Sequence, residues 1–253
     1  MLSRRRVVGG LAVTALTSRA ASGPRTFILV PGAWHGGWAF ERLKLRLEAM
    51  GHVVEAVTLP GLAERKGELD ASIRLSTHLD DVRARVERAS GPVVLVGHSY
   101  AGVVVTPVAA ALPDRVGRLV YLDAFIPKSG QSMLAMMKAE YSEKWRAKAK
   151  AVSNGLWVPP MLDAKAMGIS DPKEATQVDA RLTPHPMATL EDAVTFDEAA
   201  LARVERRYVW CAKYPGFKRY ADQARALGWT VRELAAGHDA VWTHPDETAA
   251  ALG

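Results

Sequence analysis

Leu95-Val96-Gly97-His98-Ser99-Tyr100-Ala101-Gly102 lies between an apolar run, residues 92–96, and a second apolar stretch, residues 103–112. The first run is short, continuous and rich in valine, the composition of a strand buried on both faces. The second is long enough for a helix, although Pro107 is expected to kink it or confine it to its first turns. Between them the chain has room only for a sharp turn with Ser99 at the apex. In the G-x-S-x-G pattern of such a turn, the residues two before and two after the serine are small because the strand and helix backbones nearly touch. Gly97 meets that demand, while Ala101 adds one methyl where glycine is usual and Gly102 follows it. Ser99 is therefore expected in a strained backbone conformation with its hydroxyl clear of the sheet. A glycine-rich turn that binds phosphate at a helix N-terminus would share much of this pattern.

Outward from this turn, strand-like and helix-like segments alternate. Residues 26–30 form an apolar run that stops at Pro31-Gly32. Residues 38–50 carry Leu43, Leu47 and Met50 at helical spacing, and Gly51 marks the helix end. Residues 52–59 read as the next strand, 77–89 as an amphipathic helix and 118–122 as a strand ending on Asp123. Residues 207–211, 217–227 and 229–234 repeat strand, helix and strand, and a last helix follows Pro245. Such alternation predicts one α/β domain over residues 25–253, with a mostly parallel central sheet and helices on both faces. Between about residues 128 and 204 the rhythm changes. Helical stretches rich in Met, Ala and Lys are separated by Val158-Pro159-Pro160 and Thr183-Pro184-His185-Pro186, which predicts an inserted helical cap.

Composition sets the outer bounds. Of 253 residues 49% are apolar, enough for a sizeable core. The net charge of +6 comes largely from Arg4, Arg5, Arg6 and Arg19; without them 29 basic residues face 27 acidic ones. With no long basic run elsewhere, a nucleic-acid partner has little support. Residues 1–22 combine a basic front, an apolar middle and a small-residue end, which reads as an export signal of twin-arginine type. The apolar stretch is shorter than the roughly 20 residues needed to span a bilayer, so no stable membrane anchor is expected. Cys211 is the only cysteine, which excludes an intrachain disulfide.

A serine hydroxyl is a poor nucleophile until a base takes its proton. Of the seven histidines, His238 follows a strand and a glycine in Ala236-Gly237-His238-Asp239, near the C-terminus. It thus emerges where strand ends meet loops, and serine first with histidine last is the chain order of one known class of triad. The loop after the first strand, residues 31–38, can supply a backbone N–H donor from Ala33, and the turn itself a second from Tyr100. Two such donors are what the oxyanion of a tetrahedral intermediate requires. His238 and His244 fit no common metal motif, and no dinucleotide fingerprint follows any strand, so neither metal nor cofactor is expected.

Four segments carry a resemblance. Val30-Pro31-Gly32-Ala33-Trp34-His35-Gly36-Gly37-Trp38, Leu95 to Gly102, Leu119-Val120-Tyr121-Leu122-Asp123-Ala124-Phe125-Ile126-Pro127 and Gly237-His238-Asp239 resemble one branch of the α/β-hydrolases. That branch contains plant methylesterases, hydroxynitrile lyases and bacterial carboxylesterases. The resemblance runs from about Arg25 to the end and is weakest in the cap. It implies a serine esterase acting on a small-molecule ester through an acyl-enzyme. Many members place the acid just after the strand at 207–211, but Ala212-Lys213-Tyr214-Pro215-Gly216 offers no carboxylate. Asp222 lies inside a predicted helix and Asp239 adjoins His238. Asp123 ends the preceding strand at the Ser99 edge, and some members of the wider fold place their acid there, so Asp123 is the expected third member. Two other functions share the scaffold. Cyanohydrin lyases of this kind carry threonine and lysine where Gly32 and Asp239 stand, which disfavours that reading; a non-catalytic ligand binder would keep Ser99 and His238 without turnover. In the cap, Met133, Met136, Met137, Trp145 and Trp157 are expected either to line an apolar acyl pocket or to pack the cap onto the domain.

Overall fold

A computed structural model describes residues 23–253; the export signal read at residues 1–22 lies outside them. Strand β1 (Thr26–Val30) leads through a short 3-10 turn into α1 (Glu41–Ala49), then β2 (Val53–Ala56), α2 (Leu75–Arg88) and β3 (Val93–His98). After the turn at Ser99 come α3 (Gly102–Ala111) and β4 (Val116–Leu122). An insertion follows, with α4 (Ala139–Ser153), β5 (Trp157–Val158), α5 (Pro172–Asp179), β6 (His185–Pro186), α6 (Met187–Glu191) and α7 (Glu198–Ala202). The chain returns to the sheet with β7 (Glu205–Cys211), α8 (Lys218–Ala226) and β8 (Thr230–Leu234), and ends with α9 (Ala240–Thr243) and α10 (Pro245–Leu252).

Six strands form one sheet in the order β2-β1-β3-β4-β7-β8, and every pairing is parallel. Alternation along each strand divides the core into two layers, because successive side chains point to opposite faces. Ile28, Val30, Leu95, Leu119 and Tyr208 pack with α2, α3 and α8 on one face. Phe27, Leu29, Val96, Val120 and Val209 pack with α1, α9 and α10 on the other. This is the parallel α/β architecture expected from the alternation.

Three local expectations need correction. Pro107 does not stop α3, which runs on to Ala111. Nine of its ten residues are buried, Gly102 through Ala110, so packing outweighs the backbone bond that proline removes. Thr106 Oγ1 also donates 2.6 Å to the Gly102 carbonyl, satisfying an acceptor one residue earlier. The expected strand at 52–59 is shorter, because after Ala56 the chain leaves this sheet edge and Thr58 Oγ1 takes the Gly37 N–H at 2.9 Å. The insertion is not wholly helical, since Trp157–Val158 pairs antiparallel with His185–Pro186. Two of the proline-rich breaks thus form a small sheet. Proline is tolerated there because a two-stranded pair is all edge.

Candidate active site

The turn after β3 is set by close backbone approach. A Cβ at Gly97 would stand 2.6 Å from Val105 Cγ2 and 3.0 Å from the Ala101 carbonyl oxygen. The tightest point is at Gly102, where a Cβ would lie 1.9 Å from the Phe125 carbonyl oxygen. Phe125 in turn donates its N–H to the Ser99 carbonyl at 3.2 Å. The segment after β4 therefore clamps the turn, and the strict glycine is Gly102. Ser99 adopts φ +54°, Asp123 φ +42° and Trp34 φ +67°. Non-glycine residues avoid this region unless the surrounding packing holds them there, and such strain gathers at functional sites.

Ser99 and His238 line the same cavity, of about 700 Å³, together with Gly32, Ala33 and His98. His238 Nδ1 lies 2.6 Å from Asp123 Oδ2, and the Cys211 N–H donates to Asp123 Oδ1 at 3.2 Å. A carboxylate that accepts two N–H groups fixes the imidazole tautomer with the proton on Nδ1, so the Nε2 lone pair is left for the cavity. Burial pushes His238 down to about 4, leaving the ring neutral near pH 7. Burial also pushes the Asp123 carboxyl upward, while the Cys211 N–H opposes it. The His238 ring is stacked against Phe217, 5.1 Å between centroids and 4° from parallel, with Tyr214 4.7 Å away. Tyr214 and Phe217 come from the loop after β7, where a carboxylate is common in the resembled family and this chain has none.

The remaining carboxylates considered from sequence stand elsewhere. Asp222 is on the exposed part of α8, paired with Lys218 and Arg225. Asp239 is buried 3.4 Å from His35 Nε2, while His35 Nδ1–H donates 2.8 Å to the Ala33 carbonyl. The Asp239 charge, with the Ala33 acceptor, outweighs the burial that pulls His35 down, so His35 is raised. This His35–Asp239 contact was missed in the sequence; two residues 204 apart in the chain share no local signal. His98 Nε2–H donates 3.1 Å to the His238 carbonyl and is held neutral by burial, at about 3. His78 is a core residue bonded to Tyr100 Oη at 2.8 Å and the Pro60 carbonyl at 3.0 Å.

Among the described residues the Ala33 N–H donates to no protein acceptor. Tyr100 is second in the 3-10 turn Ser99–Ala101, where early N–H groups lack an intrahelical carbonyl. A Cβ at Gly32 would lie 2.9 Å from Ser99 Cβ, so any larger side chain there crowds the serine. Met133, Met137 and Trp145 line the cavity, whereas Met136 and Trp157 do not. No cluster of three metal-binding side chains occurs among the described residues.

The α/β-hydrolase family model matches residues 27–251. A carbendazim hydrolyzing esterase of Nocardioides sp. (strain SG-4G) is 33% identical over 242 residues, covering 90% of this chain and 99% of that protein. Salicylic acid-binding protein 2 of Nicotiana tabacum is 25% identical over 247 residues, covering 89% and 95%. The solved structure of an extracellular α/β-hydrolase from a Paenibacillus species superposes with a TM-score of 0.80 at 21% identity, covering 90% of this chain and 98% of that one. That last likeness is one of fold.

Proposed function

The chain belongs to the α/β-hydrolase family, and we propose that it is a serine esterase cleaving carboxylic esters through an acyl-enzyme. The observation that carries this reading is the strained Ser99 lining the same cavity as His238, whose Nδ1 is held by the buried Asp123. Ser99 Oγ attacks the ester carbonyl while His238 Nε2 takes its proton. The carbonyl oxygen becomes an oxyanion received by the Ala33 and Tyr100 N–H groups. Collapse breaks the bond to the alcohol oxygen, and His238 hands that oxygen the proton. Water then attacks the acyl-Ser99 by the same route, releasing the acid and restoring the serine. Asp123 orients His238 and stabilises its cation throughout.

Gly32 supports ester hydrolysis over cyanohydrin cleavage, since it brings no threonine hydroxyl to the cavity, and a Cβ there would already stand 2.9 Å from Ser99 Cβ. Residues 128–204 act as the cap, supplying the apolar roof of the cavity through Met133, Met137 and Trp145. Residues 1–22 direct export, and among the described residues no helix is long and apolar enough to cross a membrane. A fluorophosphonate probe should label the wild-type chain and leave Ser99→Ala unlabelled. p-Nitrophenyl esters of graded chain length should be hydrolysed by the former alone. Labelling at another residue, or turnover retained in Ser99→Ala, would refute the assignment.

A further inference from the structure

The cavity is apolar and aromatic around Ser99, but its charged rim has one sign. Lys138, Lys144 and Arg219 line it, and among the described residues no aspartate or glutamate does. All three are exposed, which places them where the cavity meets solvent. None has a carboxylate within ion-pair distance among the described residues, although Arg146 on the same helix as Lys144 pairs with Glu191. The nearby Asp222 is committed to Lys218 and Arg225.

Arg219 is held in place by neutral partners. Its Nη2 donates to the Met136 carbonyl and, at 2.7 Å, to Tyr220 Oη, and the guanidinium lies 4.6 Å over the Tyr220 ring. These contacts immobilise the group without neutralising it, and among the described residues its Nε and Nη1 hydrogens have no protein acceptor. A fixed guanidinium loses less entropy on binding an anion than a free one would. The deeper histidines do not add net charge to the rim, because burial keeps His98 and His238 neutral and any charge on His35 is matched by the buried Asp239 3.4 Å away. The cavity therefore offers a floor without net charge for the acyl and alcohol carbons and an anion-attracting edge.

Building on the serine-esterase reading, we propose that the substrates are amphiphilic esters bearing a second, anionic group, which Lys138, Lys144 and Arg219 hold at the cavity mouth while the ester reaches Ser99. A half-ester of a medium-chain dicarboxylic acid has this chemistry, as does an ester whose alcohol ends in a sulfonate. Three solvent-exposed cations each contribute modestly, so the expected preference is about tenfold in kcat/KM rather than absolute. It should weaken as salt shortens the reach of surface charge.

The test compares p-nitrophenyl octanoate with the p-nitrophenyl monoester of suberic acid, and ethyl octanoate with 3-sulfopropyl octanoate, using the full chain. The anionic member of at least one pair should be favoured about tenfold at low ionic strength. That preference, read as the ratio of kcat/KM within each pair, should fall towards unity in 0.5 M NaCl and in Lys138→Ala/Lys144→Ala/Arg219→Met. If Arg219→Met impairs folding, the lysine pair alone should remove part of the preference. Neutral esters hydrolysed as fast as both anionic partners would overturn this inference and leave the esterase reading intact. Failure on all four substrates would overturn both.

Discussion

Replacing Asp123 with asparagine should reduce kcat by about 10⁴, and the structure indicates why the loss exceeds a simple charge deletion. In the transition state His238 carries a positive charge beside Asp123. At about 4 Å between charge centres and an effective dielectric of about 20, that attraction is worth about 4 kcal/mol. Divided by 1.36 kcal/mol per decade, it corresponds to about a thousandfold. The tautomer supplies the rest. Cys211 N–H faces Oδ1, so the oxygen of an asparagine amide would take that place and turn its NH2 towards Nδ1. The ring would then carry its proton on Nε2, where it cannot accept one from Ser99. Steady-state hydrolysis of p-nitrophenyl butyrate at pH 7.5 measures the loss, and a thermal melt establishes that the variant is folded. A folded Asp123→Asn that loses less than tenfold would refute the assignment. Asp222→Ala, altering an exposed carboxylate on α8, should stay within about twofold of wild type.

The turn makes a second prediction: Gly102→Ala should cost about 3 kcal/mol by driving a methyl into the Phe125 carbonyl, lowering Tm by roughly 6–12 °C. Ala101→Gly should change stability by less than about 1 kcal/mol, and equal effects at the two positions would contradict the packing described. Because burial holds His238 near 4, kcat/KM should fall with acid as Nε2 protonates, with a midpoint below histidine's usual 6.5. A midpoint at or above 6.5 would refute this. The His35–Asp239 pair makes stability pH-dependent in a defined direction. Its raised histidine contributes fully below 6.5 and loses that contribution as pH rises through the folded value. Its lowered aspartate contributes above 3.8 and loses that as pH falls through its own. Asp239→Asn should therefore destabilise the fold more at pH 5.5 than at pH 9, by an amount on the order of 1–3 kcal/mol at the lower pH. An equal deficit at both values would show that the pair is not ionised.

Periodicities of two and of about four residues are local properties, and the sequence by itself determined what depends on them. The alternation of apolar strands with amphipathic helices specified a parallel sheet covered on both faces. The spacing around Ser99 specified a strained turn between strand and helix. The position of His238 after a late strand put it among the loops at that end of the sheet. What only the tertiary structure decided were the partners of buried polar groups. Three aspartates were open in sequence. Asp123 lies against His238 because β4 ends beside β7, Asp239 turns to His35 across the first loop, and Asp222 stays on the surface. The same holds for Pro107, whose helix persists because its neighbours are buried, and for the proline-rich breaks that pair as strands. The cationic rim was equally hidden, since Lys138, Lys144 and Arg219 come to line one cavity only when the insertion folds over the start of α8. Such juxtapositions depend on which surfaces exclude water together, and residues that distant along the chain leave no periodic trace of it.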